Sequence, residues 1–145
     1  DQITISAEIS SEAPGVNNDW PSDISFYLND VEIGTWTSPG DYGDVQGIFT
    51  PDWWFPNWNQ YGLLKMIVIN KRGTFVDGLK ISDINIRQFD LDYKSTIRFR
   101  FMVRDDAVNV GGLTIFGKQF GNYNQDINVR INYSPMTAAR AAGER

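Results

Sequence analysis

The residues best suited to chemistry are concentrated in one stretch. All five tryptophans (Trp20, Trp36, Trp53, Trp54 and Trp58) fall within residues 12–61, among prolines, asparagines, aspartates and glycines. An indole face stacks on the C–H face of a sugar ring, while carboxylates and amides hydrogen-bond its hydroxyls. Trp20, Trp36, Trp53, Trp54, Trp58 and Tyr61, set beside Asn17, Asn18, Asp19, Asp41 and Asp44, therefore suit a sugar or a similar small-molecule ligand. The plainer alternative is that these tryptophans close the ends of a folded sandwich, because large aromatic residues bury well but seldom completely. Composition alone leaves both open.

Other chemistries find less support. Glycoside hydrolysis needs two carboxyls roughly 5 to 9.5 Å apart across the scissile bond. The glutamates available are Glu8, Glu12, Glu32 and Glu144, with Asp41 or Asp44 as partners. Nothing in their spacing makes any two converge, and the chain is not expected to be an enzyme. Asp90 and Asp92, and the Asp105-Asp106 doublet, are acidic loop residues of the kind that ligate calcium, but no EF-hand spacing accompanies them. Exposed turn aspartates are the better account, so neither a metal nor a cofactor is expected. Arg98, Arg100 and Arg104 share one face of a strand and are expected to be solvated and paired with acids on a neighbour. The sequence has no cysteine and no histidine, which removes thiol nucleophiles, Cys/His zinc sites and histidine acid–base catalysis together. No GxxxxGK[ST] run is present, so nucleotide binding is unsupported.

The elements that must hold these residues are short strands. The 145 residues are 41% hydrophobic and carry a net charge of -5, enough for one globular domain and poorly suited to gripping a phosphate backbone. No apolar run approaches the roughly 18 residues that span a bilayer, so no membrane partner is expected. Period-two alternation marks strands over residues 2–9, 24–28, 31–35, 74–76, 96–104, 113–116 and 127–133. Residues 63–69 are apolar on both faces apart from Lys65, which predicts a strand covered on both sides. A short strand is predicted at Ile48-Phe49, and a register slip near Ser82-Asp83 within residues 79–86. Asn29-Asp30 links two alternating runs as a tight hairpin. In that register Trp36 lies with Glu32 and Gly34, and is predicted to point away from the core face that Val31 and Ile33 define. Eight to ten strands with intervening turns and no convincing helix predict an all-β fold, an antiparallel β-sandwich of jelly-roll-like form over residues 1–134. Residues 135–145 are expected to be a disordered or helical tail. A chain that opens directly on a strand is expected to have been cut from a longer one.

The segments EAPGVNNDWPSDISFYLNDVEIGTWTSPGDYGD, PDWW, QYGLLK, DGLKISD and VGGLTIFGKQFGNYNQDI are long and distinctive. Taken together they resemble the C-terminal domain of a family of bacterial transcriptional regulators whose N-terminus is an ArsR-like winged helix-turn-helix. The resemblance runs over about residues 5–130. It implies an effector-sensing or assembly domain in a cytoplasmic regulator, with DNA contacted only through a winged helix that is missing from this chain, and a homodimer as a natural form. It supplies no ligand residues, so the candidate site rests on the side chains themselves. The runner-up expectations are a carbohydrate-binding module of a polysaccharide-degrading enzyme and a structural assembly domain.

Overall fold

Alternating side chains decide which face of each strand is buried, and in this computed structural model they do so for two facing sheets. The structure describes residues 1–91 and 96–134. Strand β1 (Gln2–Ser10) turns Ile3, Ile5, Ala7 and Ile9 inward, all buried. Strand β2 (Ser22–Leu28) does the same with Ile24, Phe26 and Leu28, and β3 (Val31–Ser38) adds Ile33. The β2–β3 link is Asn29-Asp30, with φ of 46° and 68°, the two consecutive left-handed residues that a two-residue hairpin of matching twist requires.

Strands β4 (Leu63–Asn70), β5 (Gly73–Val76) and β6 (Leu79–Ser82) form a meander on one side of β1. On the other side, β8 (Thr114–Phe116) pairs with Glu8–Ser10, and β9 (Asn128–Asn132) pairs with Gln2–Ser6. The second sheet has the order β3-β2-β7, with β7 spanning Phe99–Met102. All pairings are antiparallel, and the chain forms the expected β-sandwich. Its core lies between β1, β2 and β4, with Ile97, Phe99, Phe101 and Val103 packed against it from the β7 side. Phe26 meets Phe99 and Phe101 at ring distances of 6.2 and 5.7 Å.

Several expectations are corrected. Trp36 does not point away from the core. A register shift between Phe26 and Tyr27 sets Gly34 opposite Phe26 and Glu32 opposite Tyr27, leaving Ile33 as the extra residue of a bulge. Trp36, opposite Ile24, therefore shares the inner face and packs against the core, with Lys65 Nζ 4.8 Å above its ring. Ile48 and Phe49 belong to a turn closed by Thr50 N–H to Gly47 O, not to a strand. Strand β4 is buried on one face only: Ile67 and Ile69 are enclosed, whereas Met66 on the other face is 46% exposed. The slip predicted near Ser82-Asp83 is present, by contrast, with Ile81 as the extra residue between the Thr74–Ser82 and Phe75–Lys80 pairs. The strand ends at Ser82, and Asn85 and Gln88 form a capping box on a single 3-10 turn, Ile86–Gln88. The tail expected over residues 135–145 lies outside the described residues.

Candidate functional site

Three loops meet at one end of the sandwich. The first leaves β1 at Ser10 and runs to β2. The second leaves β3 at Ser38. The third, the far end of that same β3–β4 connection, is the proline-bounded turn that delivers the chain to β4. Asn17 and Asp41 form a two-residue antiparallel bridge between the first two, each donating its N–H to the other's carbonyl at 2.9 and 2.8 Å. Gly40 makes that approach feasible: a Cβ there would stand 2.2 Å from the Asn18 carbonyl oxygen. Tyr42 and Tyr61 bridge the second loop to the third, with stacked rings 5.3 Å apart. The Tyr61 hydroxyl donates to Asp44 Oδ1 at 2.7 Å, and burial, then Asp44, push its pKa up to about 12.

Where the three loops converge lies a cleft of about 190 Å³, lined by Glu12, Ala13, Gly15, Asp41, Trp58 and Asn59. Asp41 is its most constrained member, only 1% exposed. Its Oδ2 accepts the Ala13 N–H at 2.9 Å, while its Oδ1, itself buried, has no hydrogen-bond partner among the described residues. Burial raises the Asp41 pKa above the ordinary carboxylate range, the neighbouring Glu12 charge raises it further, and the Ala13 N–H works against both. Glu12 is exposed. Asn59 is fixed from both sides: its side-chain amide donates to Thr114 Oγ1 on β8 and its backbone carbonyl accepts the Trp54 indole N–H.

Trp58 joins the cleft to an aromatic cluster. It meets Trp54 edge-on at 5.1 Å and Phe55 at 4.7 Å, and Trp54 and Trp53 both meet Phe120 edge-on. Trp53 remains 71% exposed and Trp58 47%. Phe120 belongs to the loop that follows β8, and a buried glutamate holds that loop in place. Glu8 lies on the outer face of β1, yet is 0% exposed. Its carboxylate accepts backbone N–H bonds from Gly62, Asn122 and Tyr123 at 2.8, 2.9 and 3.3 Å. Burial raises the Glu8 pKa, and those three donors oppose the rise. Gly121 lies so close that a Cβ would come 2.3 Å from the carboxylate oxygens.

Of the residues singled out from sequence, Asp41 and Trp58 line the cleft. Tyr61 and Asp44 brace its second and third loops, and Trp53 and Trp54 belong to the aromatic cluster beyond Trp58. Asn17 supplies the bridge to Asp41, and its Oδ1 accepts the Asp19 N–H in a local turn. Asn18 presses its carbonyl on Gly40. Trp20 is a clamp whose indole donates to Gly111 O at 3.2 Å, and Trp36 lies between the sheets. Sequence reasoning did not single out Ala13, Gly15 and Asn59, and weighed Glu12 only as a catalytic acid. The Asn beside Trp58 was the available signal.

The other constellations behave as side chains on a surface do. Arg98 and Arg100 pair with Asp30, and Arg104 with Glu32 and Asp106, at 2.5 to 3.3 Å. Among the described residues no group of three acidic side chains is placed to hold a metal ion; Asp92 and Glu144 lie outside them. No helix of the described residues is long and apolar enough to cross a membrane. No protein-family model, curated protein or solved structure matches the chain.

Proposed function

We propose that this chain is a ligand-sensing β-sandwich domain rather than an enzyme, and that its ligand is a carbohydrate-like small molecule seated in the Glu12–Asp41–Trp58–Asn59 cleft. The observation that carries this reading is the convergence of an exposed indole, Asn59 and the exposed Glu12 carboxylate on a single concave surface, with Asp41 buried behind it. Its volume of about 190 Å³ is below the roughly 300 to 1,000 Å³ of sites for drug-sized molecules, which favours a single ring.

The resemblance to winged-helix regulators gives that site a use. In the cytoplasm, a ligand bridging the three loops would favour one arrangement of the attached DNA-binding domains through its differential affinity for the two. Titration with mono- and oligosaccharides, followed by tryptophan fluorescence, tests the sugar reading. Saturable quenching or enhancement is expected, and Trp58→Ala should abolish it. Absence of any response across the series sinks the sugar reading. The coding sequence upstream tests the regulator: a winged helix supports it, whereas a signal peptide with a hydrolase domain overturns it.

A second reading has its own observation. The exposed faces of Trp53, Phe55 and Trp58 would suit a module that lies along a polysaccharide. That reading expects oligosaccharides to bind more than about tenfold tighter than monosaccharides, whereas a one-ring cleft expects little gain with length.

A further inference from the structure

The small sheet stops short of the large one, and the edge where it stops is unfinished in two ways. Its order is β3-β2-β7, and β3 touches β5 and β6, so β7 lies on the side toward β8 and β9. The Asn29 N–H donates to Arg98 O at 2.8 Å, in register with the pairing of Leu28 to Phe99. Backbone bonding alternates along an antiparallel pair. Arg98, Arg100 and Met102 therefore bond toward β2, while Phe99 and Phe101 turn their N–H and C=O groups outward. Among the described residues no strand or loop backbone meets those groups.

Beside that edge the floor is apolar. Ile115, Val129 and Ile131 lie opposite Ile9, Ile5 and Ile3 and so share the inner face. Each is 41 to 53% exposed, whereas its partner on β1 is buried. Ile127 and Tyr133 continue the alternation at either end of β9 and are exposed too. From Ile127 to Tyr133 is about 20 Å of extended chain, the span of one strand of six or seven residues. A strand bonded to the free edge of β7 would lie over this row and add a fourth strand to the small sheet.

Charge marks the occupant. On its outer face β7 presents Arg98 and Arg100, which share a single acid, Asp30. A neighbouring strand should therefore turn apolar residues inward and carboxylates outward. A second copy of this chain fits less well: its β9 has the apolar row but would set Arg130 on the outer row with those arginines. We propose that the free edge of β7 and the Ile115–Val129–Ile131 row form a docking groove for one extended segment of a partner protein. That segment alternates apolar and acidic residues and binds by strand addition.

The probe is a fluorescently labelled seven-residue peptide alternating valine with glutamate. It is compared with its lysine-for-glutamate analogue and with a peptide of the same composition whose valines and glutamates stand in separate blocks. The alternating acidic peptide is expected to bind at least about tenfold tighter than either, read by fluorescence anisotropy, and to slow hydrogen exchange at the Phe99 and Phe101 amides. Val129→Lys and Ile131→Lys change exposed side chains, so each should leave the melting temperature nearly unchanged while removing binding. Arg100→Glu should turn the preference toward the lysine peptide. Equal binding of all three peptides, or binding that survives both lysine substitutions, overturns the assignment to this groove. Sedimentation showing a dimer that Val129→Lys dissociates overturns the partner segment and gives the groove to a second copy. A monomer that binds no peptide overturns the proposal outright.

Discussion

Two buried carboxylates, Glu8 and Asp41, govern the chemistry of this molecule at the scale of single residues. Each is drawn out of water by the fold and only partly repaid by backbone N–H groups, three for Glu8 and one for Asp41. For Glu8 the three donors have no other acceptor among the described residues, so Glu8→Ala should leave them unmet, the buried Gly62 N–H above all, and cost about 3 kcal/mol. Glu8→Gln, which keeps one accepting oxygen, should cost less. Urea denaturation of both variants checks the ranking, and equal costs would show that packing matters there, not hydrogen bonding. For Asp41 the pH dependence is the sharper test. Its folded pKa lies above the ordinary carboxylate value, so its stabilising contribution is fully present below the unfolded pKa and is lost as pH rises through the folded one. Relative to Asp41→Asn, the wild-type chain should therefore gain stability on going from pH 7 to pH 4. Asp23 works in the opposite sense. Bonds from Thr37 and Asn109 lower its pKa, so its contribution is lost as pH falls through that lowered value. The Asp41 comparison isolates one carboxyl because Asp23 is common to both proteins.

Within the elements, backbone conformation decides more than side-chain pairing. The β2–β3 turn places Asp30 at φ 68° and also gives it ion pairs with Arg98 and Arg100. All three side chains are at least half exposed, and pairs of that kind contribute about 0 to 1 kcal/mol. A residue other than glycine in the left-handed region costs on the order of 1 kcal/mol, less for aspartate than for alanine. Asp30→Gly should thus be nearly neutral and Asp30→Ala about 1 kcal/mol worse than Asp30→Gly, since both lose the same ion pairs. Equal destabilisation in thermal melts would assign the position to its charge. The bulge at Ile33 shows why some of this level was hidden in the sequence. The alternation of Val31, Ile33 and Thr35 read correctly as a strand, and Asn29-Asp30 as its turn. One extra residue then reversed the facing of Trp36, and a bulge leaves no mark on an alternating pattern. Gly34 does carry a trace of it: a Cβ there would come 2.3 Å from Ile81 Cδ1, so a side chain would push Ile81 aside where the other sheet reaches across. The cleft was half legible for a similar reason. Asp41 and Trp58 stood out by type, but Ala13 and Gly15 contribute backbone and position, which residue chemistry does not advertise.

For the whole molecule, the two sheets differ in width: the nine strands of the described residues divide into six and three. The three-stranded sheet covers the inner face of β1 and the Ile67–Ile69 end of β4, and leaves the flank of the larger sheet open. Register makes this plain along one row. Ile5 on β1 is directly opposite Val129 on β9, and Ile3 opposite Ile131, so all four side chains leave the sheet on the same inner face. Yet Ile3 and Ile5 are buried, whereas Val129 is 53% exposed and Ile131 47%. Sequence periodicity assigned both strands an apolar face, and had no means of saying how far the opposing sheet would extend. The sandwich therefore has a core that ends between β1 and β9, and substitution can locate the boundary. Ile5→Ala should cost about 2 to 5 kcal/mol, as for a fully enclosed aliphatic side chain. Val129→Ala, one strand away on the same face, removes two methyl groups that water already reaches and should cost under about 1 kcal/mol. Chemical denaturation at two protein concentrations completes the test. If Val129→Ala approaches the cost of Ile5→Ala, and does so more at the higher concentration, the open flank is covered in solution by another copy of the chain.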